Sequence, residues 1–169
     1  KQPTMRFIIF ITFLLAFVWS CYWFLMSNKY SDKVYLWSDM SSAYVSANLS
    51  KIRGFPNRFD TTITNLEIKQ ARFEPIKIDR LDVMRLSYDS SHYIFAAKSI
   101  QNIFENNFTF SKGLASAVSN GEVVPTINFQ GGNVFINKKL IFEELNFKIW
   151  PTTNLSKLNV SLSFRMADV

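Results

Sequence analysis

The hydrophobic pattern divides the chain into two unlike parts. Residues 7–26 form a run of 20 residues without a charge, whereas from about Ala43 onward apolar and polar residues alternate with period two. The uncharged run predicts a membrane-spanning helix, because ~20 helical residues cover the ~30 Å hydrocarbon core of a bilayer. The alternation predicts strands that bury one face of a sheet.

The N-terminal run is expected to remain as an uncleaved anchor, since it is longer and more aromatic than a signal peptide and no Ala-x-Ala site follows it. The expected organisation is a tail over residues 1–6, a transmembrane helix over 7–26 and a juxtamembrane linker over 27–41. The amphipathic rings of Trp and Tyr favour the membrane–water interface, whereas the apolar ring of Phe favours lipid. The expected anchor residues are Phe7, Phe13, Phe17, Trp19, Tyr22 and Trp23.

Ten short segments of the remaining chain carry strand patterns. Leu66 and Ile68 have shifted parity relative to Phe59 and Ile63, which predicts a bulge or bend near Thr64 and Asn65. The segments lie at about 43–49, 59–68, 76–78, 81–88, 92–98, 108–110, 127–129, 134–136, 140–149 and 158–164.

Gly54, Phe55, Pro56 and Asn57 predict a turn, because Gly supplies unusual dihedral angles and Pro fixes one. We treat Gly54, Phe55, Pro56 and Arg58 as a candidate interaction or turn motif, in which Arg58 is expected to brace the turn through backbone carbonyls. Two further expectations concern the middle of the chain. Gly131-Gly132-Asn133 predicts a hairpin turn, and residues 111–119 are expected to be a short helix or a loop of small residues.

These patterns predict a mainly β fold, with one N-terminal transmembrane helix followed by an antiparallel β-meander over residues 42–169, as a curved sheet or a sandwich. Each strand presents one apolar and one polar face. The apolar face must be covered. A second sheet, a helix, a partner chain or a lipid could each cover it.

Composition restricts the possible partners. The chain is 48% hydrophobic and 16% aromatic with a net charge of +6, so it is too apolar for a disordered protein. Its basic residues are scattered and form no run of four, so we expect membrane lipid and not nucleic acid as partner. The single cysteine, Cys21, lies inside the apolar run and excludes an intrachain disulfide.

Few residues suggest chemistry. His92 is the one histidine, which is too few for a histidine-based metal site, and no motif binds a cofactor. Adjacent strand residues point to opposite faces, so Glu143 and Glu144 are not expected to share a site. We therefore expect a protein that is not an enzyme and has no catalytic, cofactor or metal residues. The less favoured alternative is an enzyme with His92 as base.

Two segments resemble a known family. They are Gly54-Phe55-Pro56-Asn57-Arg58-Phe59-Asp60 and Leu86-Ser87-Tyr88 followed by His92-Tyr93-Ile94. The pattern resembles the alphaproteobacterial anchored periplasmic family catalogued as domain of unknown function 2125. The chain departs from that family at Ser90 and Ser91, where Pro and Asn are usual. The family is usually longer, so we expect truncation at Val169.

The resemblance implies a bacterial inner-membrane anchor, a periplasmic β domain and no established catalytic residues. The short N-terminal tail and large C-terminal domain also favour a cytoplasmic N-terminus. The first functional hypothesis is a single-pass accessory or scaffolding subunit of an inner-membrane complex, bound to other membrane-protein subunits through its helix and β domain. Phe13, Phe17, Trp19 and Trp23 are the side chains expected to contact neighbouring helices. The alternative is binding or transfer of a lipid or other hydrophobic ligand by the apolar sheet face.

Overall fold

A computed structural model describes residues 3–41, 43–119, 124–152 and 158–167. Lys1, Gln2 and Ser42, the last of which was the expected start of the β domain, lie outside these ranges. The chain forms one helix and eight strands. They are α1 (Pro3–Met40), β1 (Val45–Leu49), β2 (Arg58–Ile68), β3 (Ile76–Leu86), β4 (His92–Ile103), β5 (Asn106–Val118), β6 (Thr126–Ile136), β7 (Lys139–Pro151) and β8 (Leu158–Met166).

Helix α1 has 38 residues and is therefore ~57 Å long, about twice the length needed to cross a hydrocarbon core. It is long and apolar enough to be a candidate membrane span over Met5–Leu36. The helix begins within the expected tail and continues through residues 27–40, where a linker was expected. The uncharged run sets the apolar part of the helix, but the helix ends only where the chain turns into β1.

The strands pair in sequence order, β1 to β8, and every pair is antiparallel. This meander confirms the predicted fold class, in the form of one open sheet and not a sandwich within the described ranges. Strands β1 and β8 each pair with a single described neighbour. Each hairpin connection is short, so consecutive strands lie side by side.

The register places apolar side chains on one face across the whole sheet. One row of paired residues carries seven mostly apolar side chains, and the adjacent row carries seven mostly polar ones. The first row is Thr61, Val83, Phe95, Ala115, Phe129, Phe147 and Leu162; the second is Thr62, Asp82, Ala96, Leu114, Gln130, Asn146 and Ser163. The predicted period-two alternation is therefore a property of the complete sheet.

The predicted bulge in β2 is confirmed. Asn65 has φ of 52°, and the pairing of β1 with β2 shifts by one residue opposite this point. The extra residue returns Leu66 to the face that holds Ile63, so both side chains are buried in one cluster. This explains the parity change in the sequence.

The hairpin predicted at Gly131-Gly132-Asn133 is wrong. These residues lie inside β6, and the turn follows at Asn137 and Lys138, whose φ angles are 49° and 70°. Asn133 has φ of 42°, which makes it an irregular strand residue and not a turn residue. Glycine and asparagine mark bulges as well as turns, and the local sequence does not separate the two.

The other strands are longer than expected. Residues 76–78 and 81–88, expected as separate segments, belong to the single strand β3. Residues 111–119 are not a helix or a free loop, because Ser111 to Val118 pair with β4 and β6 as the second half of β5. Their small side chains suit a strand placed between the larger side chains of β4 and β6.

Gly113 lies where the backbone of β4 leaves no room for a side chain. A Cβ atom at this position would clash with the backbone carbonyl of Ala97 and touch the ring of Phe110 at 3.0 Å. Gly132, its near neighbour across the ladder, is less constrained, since a Cβ atom there would meet the Ser111 hydroxyl at 3.2 Å. We therefore expect Gly113→Ala to lower the free energy of unfolding by about 1–3 kcal/mol, as overpacking does.

The measurement is urea unfolding of the full chain in detergent micelles, with Gly132→Ala as the matched control. The control should unfold near the wild-type midpoint, because a hydroxyl can move where a backbone carbonyl cannot. Equal destabilisation by both variants would contradict the close approach at Gly113.

Candidate functional site

Helix α1 is fixed to the β domain by an aromatic cluster, which we call the joint. Its centre is Phe59, the first inward residue of β2, whose ring lies 5.6 Å from the rings of both Trp23 and Tyr30. All three side chains are buried, with Trp23 only 5% exposed. Met26 and Val34 of the helix pack around them. The joint makes the helix and the first strands one packed unit.

Hydrogen bonds from the helix to two β-domain loops reinforce the joint. The indole nitrogen of Trp23 donates to the carbonyl of Arg58 at 3.0 Å, and that of Trp19 donates to the carbonyl of Pro56 at 3.1 Å. The hydroxyl of Tyr22 donates to the carbonyl of Ser87 at 3.4 Å. Aromatic residues expected to meet the membrane surface thus meet backbone carbonyls of the same chain.

The predicted turn at Gly54, Phe55 and Pro56 is confirmed and lies against the helix. Gly54 has φ of 98°, and a Cβ atom there would lie 2.9 Å from the carbonyl oxygen of Arg58, so glycine is required. The peptide bond between Phe55 and Pro56 is cis. The ring of Phe55 packs edge-on against Trp23 at 5.4 Å. The candidate interaction motif therefore contacts the anchor of its own chain.

Arg58 does not brace the turn in the expected way. Its guanidinium pairs with Asp60 at 2.9 Å, while its backbone carbonyl is the acceptor for Trp23. Burial raises the pKa of the Asp60 carboxyl above its ordinary value, and the charge of Arg58 opposes that rise. One Asp60 oxygen, Oδ1, is buried without a hydrogen-bond partner among the described residues.

Beyond the joint, the outer half of the helix and the apolar face of β1–β4 border an apolar cleft of about 760 Å³. This volume falls within the range of roughly 300–1,000 Å³ found for small-molecule sites. The helix supplies Tyr30, Lys33 and Val34. The strands and the following turn supply Val45, Thr61, Ile63, Leu66, Ile68, Leu81, Val83, Arg85, Ser90, Tyr93 and Phe95.

Two basic side chains give the cleft a positive charge. The guanidinium of Arg85 lies 5.3 Å from the ring centre of Tyr30 and 5.7 Å from that of Tyr93, within the range of cation–π attraction. Its Nε also donates to the carbonyl of Asp89 at 3.4 Å. Lys33 is exposed on the helix. Arg85 is a charge on the otherwise apolar face, held in place by aromatic rings.

The apolar face continues past the cleft to the far edge of the sheet. Side chains of β6 and β7 on this face, such as Phe129 and Phe147, are half-buried, and those of β8 are exposed. The exposed side chains of β8 include Leu158, Val160, Leu162, Phe164 and Met166. Helix α1 packs only over the first strands, and no other described element covers the rest.

The anchor residues divide into two groups. Phe7, Phe13 and Phe17 are exposed on the helix surface. Trp19 and Tyr22 are half-exposed and bonded to the β domain, while Trp23 is buried in the joint. Trp23 is therefore not available to contact a neighbouring helix, in contrast to the expectation for it.

The residues considered for chemistry lie away from the cleft. His92 begins β4 and borders a shallow depression on the opposite face with Asn128, Asn146 and Lys148. Within the described residues, no group of three or more His, Cys, Asp or Glu side chains could hold a metal ion.

Glu143 and Glu144, expected on opposite faces, both reach Arg165, at 3.9 Å and 3.4 Å. The cause is an irregular register between β7 and β8 at this point, which changes the direction of successive side chains.

Sequence reasoning missed the role of residues 27–40. Trp23, Ser27 and Tyr30 are buried and Val34 is half-buried, a spacing of four, three and four residues. This spacing is typical of one face of a helix that packs on protein. The signal was present in the sequence but was concealed by the apolar run that overlaps it.

Comparison with known proteins adds nothing to the geometry: no family model matches the chain, and no curated protein or solved structure matches it significantly. The resemblance to domain of unknown function 2125 therefore remains a prediction.

The joint generates a prediction for Trp23. Truncation of this buried side chain removes its contacts with Phe55 and Phe59 and leaves the Arg58 carbonyl without its indole donor. Loss of a buried Trp costs about 3–5 kcal/mol. We therefore expect Trp23→Ala to accelerate amide hydrogen exchange in residues 24–36, measured in lipid nanodiscs by mass spectrometry.

The matched control is Leu25→Ala, because Leu25 is 63% exposed and does not belong to the aromatic cluster of the joint. It should leave exchange in that segment near the wild-type level. An unchanged exchange profile in the Trp23 variant would show that the joint does not hold the helix.

Proposed function

We propose that this protein is a membrane-anchored, non-catalytic β domain that binds a lipid or similar hydrophobic ligand along its apolar sheet face, with the acyl chain in the cleft beside α1. The observation that carries this proposal is an apolar face left open from the cleft to β8 within the described ranges. A closed core would have buried that face, whereas here helix α1 lies only over the first strands.

The chemistry of the cleft favours an amphipathic ligand. Its walls are mainly aliphatic and aromatic, which suits an acyl chain, and burial of each methylene group contributes ~0.8 kcal/mol. Lys33 and Arg85 border the same space. Basic side chains beside an apolar site favour a ligand with an anionic headgroup, since they attract its charge while the chain occupies the apolar walls.

The anchor explains how such a domain would meet its ligand. The candidate span lies in the same helix that forms one wall of the cleft, so the cleft is held next to the bilayer. In the proposed arrangement the N-terminus is cytoplasmic and the β domain is periplasmic, at a bacterial inner membrane. This placement is supported by the short N-terminal tail, by the large C-terminal domain and by the family resemblance.

Photo-cross-linking tests this function. Phe95 lies on the apolar face inside the cleft, and Ile94 lies beside it on the opposite, exposed face. With benzoylphenylalanine at position 95, irradiation in native membranes should give a lipid adduct, detected as a mass increase of the full chain. The same residue at position 94 should give little or none. Absence of lipid adducts at 95, or equal adducts at both positions, would contradict the proposal.

A second candidate function is that of an accessory or scaffolding subunit, and the exposed edge strand favours it. Strand β8 pairs only with β7 among the described strands and exposes five large apolar side chains. Such an edge can accept a strand from another protein.

The subunit function predicts protein adducts at β8. Benzoylphenylalanine at Leu162 should then cross-link to one other membrane protein in stoichiometric yield, whereas the same residue at Ser163, on the opposite face, should not. Lipid adducts at Leu162 without protein adducts would favour ligand binding alone.

A further inference from the structure

Two loop tips of the β domain lie beside the uncharged part of the helix. We call them the tip pair: Phe55 and Pro56 in the turn before β2, and Ser87 and Tyr88 after β3. Pro56 is bonded to Trp19 and Ser87 to Tyr22, and both helix residues lie within the uncharged run 7–26. The β domain therefore begins its contacts inside the segment expected to cross the membrane.

The helix residues further along place a lower limit on the depth of these tips. Phe24 and Leu25 are 59% and 63% exposed, and both lie in the uncharged run 7–26 that is expected to span the hydrocarbon core. Leu25 lies six residues, or ~9 Å, beyond Trp19 along the helix. Lipid that covers Leu25 therefore also surrounds the level at which Pro56 contacts Trp19.

The side chains of the tip pair suit that environment. Phe55 is 50% exposed and Tyr88 is 67% exposed, so both present aromatic surface outward. Amphipathic and aromatic rings favour the boundary between headgroups and acyl chains. Tyr88 also borders a cleft of about 740 Å³ against Leu15, Ala16, Val18, Trp19 and Tyr22 of the helix, which is apolar enough to take an acyl chain.

Three backbone groups of the tip pair, at Pro56 and Ser87, are hydrogen-bonded within the chain. The carbonyl of Pro56 accepts from Trp19 and also from the Ser87 hydroxyl at 3.4 Å, and the carbonyl of Ser87 accepts from Tyr22. The amide of Ser87 donates to the carbonyl of Asn57 at 2.8 Å. In lipid an unpaired backbone group costs several kcal/mol, so such pairing is a condition for insertion.

The charged groups nearest to the tips have partners within the chain. Arg58 pairs with Asp60, and the carboxylate of Asp89 accepts from the amide and hydroxyl of Ser91 at 2.8 Å and 2.6 Å. These groups follow the tips towards the body of the domain.

From these observations we propose that the tip pair inserts into the outer leaflet of the bilayer beside the transmembrane helix. The β domain is then partly embedded in the membrane, and it is not connected to the membrane through the helix alone. The joint follows directly above the tips, and the apolar cleft opens above the joint. Insertion of the tip pair does not depend on a ligand in the cleft. An experiment can therefore contradict insertion without contradicting lipid binding, and the reverse also holds.

Site-directed spin labelling tests the insertion. The full chain with Cys21→Ser as background carries one nitroxide, through Tyr88→Cys, in vesicles of phosphatidylcholine and phosphatidylglycerol. The matched control is Phe104→Cys. Phe104 is also an exposed aromatic tip, 71% exposed, but it lies at the opposite end of β4, ~40 Å from Tyr88.

Compared with position 104, the nitroxide at position 88 should collide less often with a water-soluble nickel chelate and more often with oxygen, which concentrates in lipid. The nitroxide at position 104 should collide often with the nickel chelate and less often with oxygen. Phe55→Cys supplies a second reporter of the tip pair, and hydrogen-exchange protection of residues 24–36 verifies that each variant keeps the joint. Nickel-chelate collisions at positions 55 and 88 as frequent as at 104, in variants with an intact joint, would overturn the proposal.

Discussion

The packing of Phe59 between Trp23 and Tyr30 is the contact on which the arrangement of the molecule depends. It joins the first inward position of β2 to two helix residues that are seven positions, or about two turns, apart. Because the rings are buried and the indole of Trp23 is bonded to the Arg58 carbonyl, the helix is directed along the sheet and not away from it. One wall of the cleft, the position of Arg85 and the level of the tip pair all follow from this contact.

The sheet consists of one layer of strands with one apolar face. In most domains a second layer buries such a face. Here the helix covers the first strands, and the inward residues of β8 remain exposed within the described part of the chain. An uncovered apolar face is energetically unfavourable in water, so its presence beside a candidate membrane span is the physical basis for proposing a lipid or a protein as its cover.

Charged and aromatic side chains differ between the two faces of the sheet. Arg85 is the guanidinium on the apolar face near the joint, and the rings of Tyr30, Phe59 and Tyr93 surround it at 5.3–5.8 Å. The opposite face is polar, and its pairs, such as Asp82 with Arg80 and Thr62, face solvent. Hydrogen bonds from Arg80 and Thr62 hold the pKa of Asp82 below its ordinary value. The two faces therefore meet different surroundings.

The sequence by itself determined the apolar helix, the antiparallel strands, the bulge at Asn65 and the turn at Gly54, because each depends on local periodicity or on backbone angles that few residues adopt. Only the tertiary structure decided that Gly131 and Gly132 lie within a strand, and that Trp23 is buried in the chain's own β domain. These outcomes depend on contacts between residues at least 12 positions apart in the chain. A local pattern is equally compatible with a turn or a bulge, and with a ring in lipid or a ring in a protein interface.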